Sequence, residues 1–283
     1  MNLKDTILKE RSEMEIGILI HLSDNADDDF RKVSEMGFSS CQLTCWNMNY
    51  FNDEKAEEVL AAMKKYNIEI TTFWCGWSGP AVWNFTEGPL TLGIVPAEYR
   101  FKRIEELKLG GDFAKKLGVK NVATHMGFIP EVPASEQYRA VVAAIRNIAE
   151  HLKENDQNLL FETGQETPVT LRRAIEDVGT GNLGINLDPA NLILYGKANP
   201  IDSLDVFGDL VMNVHAKDGC YPTCGKNLGE EKPIGAGKVD FPRFIAKLKE
   251  VGYDGPLTIE REITGEQQKH DILVAKNLLE GLI

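Results

Sequence analysis

The chain contains no apolar stretch long enough to span a bilayer, no dense run of Lys and Arg, and no linker or low-complexity segment. The first absence sets aside a membrane-spanning helix, which needs about 20 consecutive apolar residues. The second, with a formal net charge of −12, leaves a polyanion such as nucleic acid facing an unfavourable field. The opening residues, Met1 to Met14, mix acidic and basic side chains with isolated Leu and Ile. They lack the apolar core of a secretory signal and are expected to form a short helical extension lying against the main body. Cysteine is scarce, and Cys41, Cys45, Cys75, Cys220 and Cys224 make an odd set of five. Without a secretory signal, that set fits reduced thiols in the cytoplasm rather than a disulfide framework. Cys220 and Cys224 have no second pair to complete a thiolate metal site.

What is present is alternation. Short β-branched or apolar runs exchange with helical patterns from end to end, the signature of a parallel sheet wrapped by helices. Strands are expected at Glu15 to His21, Ser39 to Thr44, Ile68 to Trp74, Asn121 to His125, Asn158 to Glu162, Leu183 to Asp188, Val211 to His215 and Pro256 to Glu260. Such units over 283 residues predict one α/β domain, a single (β/α)8 TIM barrel over 1–283 with 1–14 as its extension. Tyr138, Val141, Ile145, Ile148 and Leu152 share one helix face, and Phe101, Ile104, Leu107, Ala114 and Leu117 form a similar stripe ended by Gly118. Thr167 before Pro168 reads as an N-cap, and Thr264 with Gln267 as a capping box. The long irregular stretches 75–96 and 217–239 follow strands and are expected to wall the barrel mouth.

Four consecutive expected strands end in a carboxylate or an imidazole, at Glu162, Asp188, His215 and Glu260. Side chains at the strand C-termini of a closed barrel converge on its mouth, so these residues can meet although they lie far apart in sequence. Each has a plainer reading: a strand-end acid is commonly a cap or a surface charge, and Asp188 before Pro189 can simply start a helix. Their joint occurrence decides the matter, because grouped carboxylates repel unless a cation offsets them. Three carboxylates with one imidazole suit one divalent ion, Mn²⁺ before Mg²⁺ or Co²⁺, with Zn²⁺ less favoured without thiolates.

Along nearly its whole length the chain resembles the xylose-isomerase-like barrels, which include sugar phosphate isomerases and epimerases, ketose 3-epimerases and inosose-processing enzymes. The resemblance is carried by Phe161-Glu162-Thr163-Gly164, Asn186-Leu187-Asp188-Pro189-Ala190-Asn191, Val214-His215-Ala216-Lys217-Asp218, Gly237-Lys238-Val239-Asp240-Phe241, Tyr253-Asp254-Gly255-Pro256 and Ile259-Glu260. It implies that Glu162, Asp188, His215 and Glu260 bind one catalytic metal, that the two glutamates also move protons, and that the chain forms a homo-oligomer. Asn191 stands where ketose 3-epimerases carry a substrate-binding His, and Tyr221 where they carry an Arg. The resemblance therefore implies the family's chemistry rather than that particular substrate.

His21 and His125 also end expected strands and are candidate substrate or proton-transfer contacts, as are Asn191 and Lys217. Trp46, Trp74 and Trp77 stand where aromatic faces can stack on a sugar or simply pack the rim. The run Pro233-Ile234-Gly235-Ala236-Gly237 reads as a turn rather than as a cradle of amides for a phosphate. The expected function is a metal-dependent isomerase or epimerase of a sugar, keto-sugar or cyclitol, abstracting a proton beside a carbonyl. A lyase or dehydratase acting on a 3-keto-glycoside or inosose through the same site is the alternative. A related abasic-site endonuclease needs several zinc ions and more histidines than the five present, and a non-catalytic sugar-binding barrel would not need a full ligand set. The expected partner is thus a small carbohydrate or cyclitol in the cytoplasm, with neither nucleic acid nor membrane.

Overall fold

The computed structural model describes residues 14–283. The helix expected at Met1 to Met14 therefore falls, but for Met14, outside the described residues. Eight parallel strands close into a barrel: β1 (Ile16–His21), β2 (Ser40–Cys45), β3 (Glu69–Cys75), β4 (Asn121–Thr124), β5 (Asn158–Glu162), β6 (Leu183–Leu187), β7 (Val211–Ala216) and β10 (Leu257–Ile259). Between the last two, β8 (Asp218–Gly219) and β9 (Glu231–Lys232) form a small antiparallel ribbon. β1 pairs with β10 on one side and β2 on the other, so no edge remains. Every expected strand is found, with ends displaced by no more than one residue. The strands read as near-continuous runs because both faces are covered; β2 and β6 are buried at every position.

The covering helices are α1 (Ala26–Glu35), α2 (Asp53–Tyr66), α4 (Ala97–Lys116), α5 (Glu136–Glu154), α6 (Pro168–Val178), α8 (Pro200–Phe207), α9 (Phe241–Glu250) and α10 (Glu266–Glu280), with short α3 (Gly88–Thr91) and α7 (Pro189–Leu194) in loops. The expected stripe of α5 is buried at Tyr138, Val141, Ile145, Ile148 and Leu152. Thr167 caps α6 by accepting from the Thr170 amide, with Pro168 in the first turn. Gly118 takes φ +76° just beyond α4, the left-handed position that favours glycine. The capping box does not form: α10 starts at Gly265, and Gln267 instead donates to Asp271 at 2.7 Å. Among the described residues, no helix is long and apolar enough to cross a membrane.

The stripe expected along α4 holds only in part. Phe101 is 80% exposed, whereas Arg103 and Glu106 are buried alongside Leu107 and Phe113. The N-terminal half of α4 faces the irregular segment after β3, and that segment turns backbone carbonyls toward the helix. The Arg103 guanidinium donates to the carbonyls of Thr91 (2.7 Å), Gly93 (2.6 Å), Pro80 (2.8 Å) and Ser78 (3.3 Å). Its Cζ lies 5.2 Å from the ring centroid of Trp77 and 4.6 Å from that of Tyr99, and Glu106 accepts from the Ser78 amide at 3.0 Å. One helix thereby staples a long loop that would otherwise have unpaired buried carbonyls. Replacing Arg103 with Met removes these donors, and unfolding stability is expected to fall by about 2–5 kcal/mol. Denaturant titration checks this; a loss well under about 1 kcal/mol would mean that water replaces the guanidinium.

Candidate metal centre

Strand alternation explains how the four predicted ligands meet. Glu162 ends β5, His215 lies in β7, and Asp188 and Glu260 follow β6 and β10. One ligand atom from each lies within 4.8 Å of the others, and Glu162, Asp188 and His215 are buried. Asp188 satisfies both readings of its sequence position. Its Oδ1 caps α7 by accepting from the Asn191 amide at 2.9 Å, which leaves Oδ2 to face the cluster.

An amide network behind the site orients the imidazole. Thr258 donates to Asn213 at 3.4 Å, Asn213 donates to Asn186, and Gln42 donates to Asn186 at 3.2 Å while its Oε1 faces His215 Nε2. The Asn186 amide nitrogen also lies 3.0 Å from Nε2, and Nδ1 faces Glu260 Oε2 at 2.9 Å, Glu162 Oε1 at 3.5 Å and Asp188 Oδ2 at 3.8 Å. The tautomer with the hydrogen on Nε2, given to Gln42, is the one that turns a lone pair on Nδ1 toward an ion. His215 Nδ1, Asp188 Oδ2 and Glu260 Oε2 are all buried without a hydrogen-bond partner among the described residues. Acceptors facing acceptors in a dry site are what a cation resolves, and the donor set fits a divalent ion.

The electrostatics agree. Burial is the largest influence on His215 and opposes its charge, yet Glu260 and Glu162 overcome it and hold its pKa well above the ordinary value. Burial likewise opposes ionisation of Glu162, but His125 and His215 hold its carboxyl well below the usual range. A bound metal replaces the proton that this field would otherwise place on His215. Lys217 is fully buried, with its ammonium 2.8 Å from Glu262 and 3.5 Å from both Asp188 and Glu260. It braces the carboxylates rather than presenting a free charge to the cavity.

A cavity of about 330 Å³ opens above the cluster. His21, Trp46, Trp74, His125 and Asn191, all singled out from the sequence, line it together with Glu162 and Glu260. Trp74 Nε1 donates to Glu162, Asn191 Nδ2 donates to Glu162 at 3.3 Å, and His125 Nε2 lies 3.3 Å from the same carboxylate. Trp77 packs beneath Trp46 and Trp74. The Gly-rich turn offers no phosphate cradle, because the amides of Gly235, Gly237 and Val239 donate to Asp218. Tyr221 lies outside the lining, with its hydroxyl on the Ala198 carbonyl at 3.2 Å.

Several residues of the site escaped sequence reading. Asn186, Asn213 and Thr258 each stand two positions before a strand-end ligand, and that spacing puts them on the same inward face. Trp83, Tyr195, Leu228 and Glu262 complete the wall from loops, which carry no periodicity to reveal them. Glu166 is buried beside the site, with Oε2 unpartnered; burial pushes its carboxyl up to about 7 against the weaker pull of His125.

A closed parallel barrel whose mouth gathers three carboxylates and an imidazole around a cavity defines a (β/α)8 protein with a candidate metal centre. The chain belongs to the xylose isomerase-like TIM barrel family, whose model matches residues 30–278. A xylose isomerase domain protein from Planctomyces limnophilus is 34% identical, with a TM-score of 0.91 over 95% of this chain and 97% of that one. An uncharacterised protein of Methanocaldococcus jannaschii is 26% identical over 88% of this chain and 84% of its own. A D-tagatose 3-epimerase-like protein shares the fold at 21% identity and a TM-score of 0.72, over 95% and 97% of the two chains.

The purified protein is expected to bind about one equivalent of divalent metal, and ion at about 100 times its Kd to add about 2.7 kcal/mol of stability. Elemental analysis should show the metal lost from His215→Ala and Asp188→Ala but kept by Glu150→Ala, a change at an exposed position of α5. Equal retention by all three would refute the ligand set. A second expectation concerns Glu166, which keeps its proton longer in the folded state than in the unfolded one. Its contribution therefore favours folding at low pH and is lost as pH rises from about 4.5 through about 7. In metal-free protein, Glu166→Gln should shrink the drop in denaturation midpoint between these limits; an unchanged drop would contradict the assignment.

Proposed function

We propose that the protein is a divalent-metal-dependent isomerase or epimerase of a sugar, keto-sugar or cyclitol, with Glu162 and Glu260 moving protons beside a carbonyl. The observation that carries this reading is that both glutamates belong to the four-residue cluster and also line the cavity. A bound divalent ion, with Mn²⁺ favoured over Mg²⁺, Co²⁺ and Zn²⁺ by the donor set, supplies Lewis-acid polarisation of the substrate oxygens.

The chain's own groups prepare the proton transfers. Hydrogen bonds from Trp74 and Asn191 fix the Glu162 carboxylate, and the two imidazoles keep it ionised; the same field makes it a weaker base, so the substrate C–H must be acidified for it to take the proton. His125, 3.3 Å from Glu162, is placed to pass a proton between that carboxylate and the cavity. Glu260 approaches from the strand two places round the barrel from β6, with the Lys217 ammonium 3.5 Å from its carboxylate. Leu19, Leu194 and the tryptophans give the cavity an apolar wall beside the reacting groups. Buried Cys41, Cys45 and Cys75, all free thiols, support a cytoplasmic setting.

Glu162→Gln and Glu260→Gln are expected to fold, to retain some metal and to lower turnover about 10²- to 10⁴-fold. The assay is incubation with Mn²⁺ and a panel of ketoses, inososes and 3-keto-glycosides in D₂O, read by NMR. If each glutamate serves one face, one variant should still exchange substrate C–H for deuterium without converting it. Mass-neutral products support an isomerase or epimerase, whereas loss of water or an aglycone assigns a lyase. Near-normal turnover by both metal-loaded variants would remove the glutamates from the mechanism.

A further inference from the structure

The aromatic lining of the cavity extends past the metal cluster, and the proton chemistry makes no use of its outer ends. Ring centroids run from Trp83 to His125 at 5.1 Å, from His125 to Trp74 at 5.9 Å and from Trp74 to Trp46 at 5.1 Å. Trp74 and His125, in the middle, are the pair that contact Glu162. One sugar ring held at Glu162 and Glu260 would cover that middle and leave the ends free. Trp46 and Trp83, at the ends, remain 38% and 40% exposed.

Trp46 is also held in place. Its ring packs against Trp74 and edge-on against Trp77, each at 5.1 Å, and it lies directly on Gly76. A methyl group added to Gly76 would stand 2.5 Å from the indole, so only glycine lets the ring seat there. The Gly76 amide donates to the Cys45 carbonyl at 2.9 Å, which ties that seat to the sheet. An indole clamped on one side and open to a cavity on the other is a pre-formed stacking platform, because little side-chain freedom is left to lose on binding.

Charge narrows what the platform can take. Among the described residues no Lys or Arg lines the cavity, whereas Glu162, Glu260 and Glu262 do. Lys217 is buried among Asp188, Glu260 and Glu262. A phosphate or carboxylate on the outer part of a ligand would meet acidic groups with no cation to answer it.

We propose that the substrate is an uncharged two-unit glycoside, with the reacting sugar at Glu162 and Glu260 and a second sugar ring or aryl group stacked on Trp46. This rests on the sugar chemistry proposed above and specifies its substrate class. The test is calorimetric binding to metal-loaded protein of matched methyl and phenyl pyranosides of glucose, galactose and mannose, together with cellobiose, glucose and glucose 6-phosphate.

Phenyl over methyl preference is expected to be about tenfold for at least one sugar, with glucose 6-phosphate no tighter than glucose. Trp46→Ala removes the platform, while Gly76→Ala keeps the indole and takes away its seat; Gly76 does not sit in the left-handed region, so its backbone accepts alanine. Both should bring the preference to about twofold or less, and Trp46→Phe should keep most of it. Because each preference is a ratio within one protein, a general loss of stability does not imitate the result. A wild-type ratio near one, a ratio that Trp46→Ala leaves intact, or tighter binding of glucose 6-phosphate would overturn the inference. If no sugar binds, the sugar reading falls with it; if all bind without preference, only the two-unit inference falls.

Discussion

Three carboxylates and an imidazole, gathered within 4.8 Å at the barrel mouth with three of the four residues buried, repel and desolvate one another, and much of the surrounding architecture answers that cost. Burial weakens screening by water, so each lone pair needs a donor or a cation. Glu162 takes hydrogen bonds from Trp74 and Asn191, Asp188 takes the Asn191 amide in the first turn of α7, and the Lys217 ammonium lies 3.5 Å from both Asp188 and Glu260. What remains unanswered is one oxygen or nitrogen each from Asp188, His215 and Glu260, and those atoms converge. Lys217 lies 3.5 Å from the same Asp188 and Glu260 oxygens, so it offsets part of their charge while leaving them without a hydrogen-bond donor at closer range, open to an ion.

Beneath the ligands the barrel is not a uniform apolar plug. Gln42, Asn186, Asn213 and Thr258 are fully buried and mutually hydrogen-bonded, and this polar layer sets which ring nitrogen of His215 faces the site. A buried amide network is stabilising only when its members are satisfied together. Fixing the imidazole from below frees the loops above to vary without moving the ligand. Division of labour follows: strands hold the chemistry rigidly, while loops stapled by Arg103 and Asp218 shape what can enter.

The four candidate ligands were legible because a barrel converts strand-end position into spatial convergence, a rule that needs no coordinates once the strands are located. Helix faces were legible where they meet the barrel wall, as in α5, and failed where a helix meets a loop. In α4 the inward positions are Arg103 and Glu106, which periodicity assigns to solvent, while Phe101 points out. Lys217 was recognised as part of the site, but its role was not, since only the packed structure shows three carboxylates around one ammonium.

The sequence by itself determined the alternation of strands and helices, the single barrel and the donor types at four strand ends, because backbone periodicity and barrel closure are local rules repeated along the chain. Tertiary structure decided which nitrogen of His215 faces the ligands, where Lys217 spends its charge and how Trp46 is seated on Gly76. Those outcomes depend on distances between segments far apart in the chain, and hydrogen bonds, ion pairs and ring contacts change over a few tenths of an ångström, a scale that no spacing of residues along a sequence encodes.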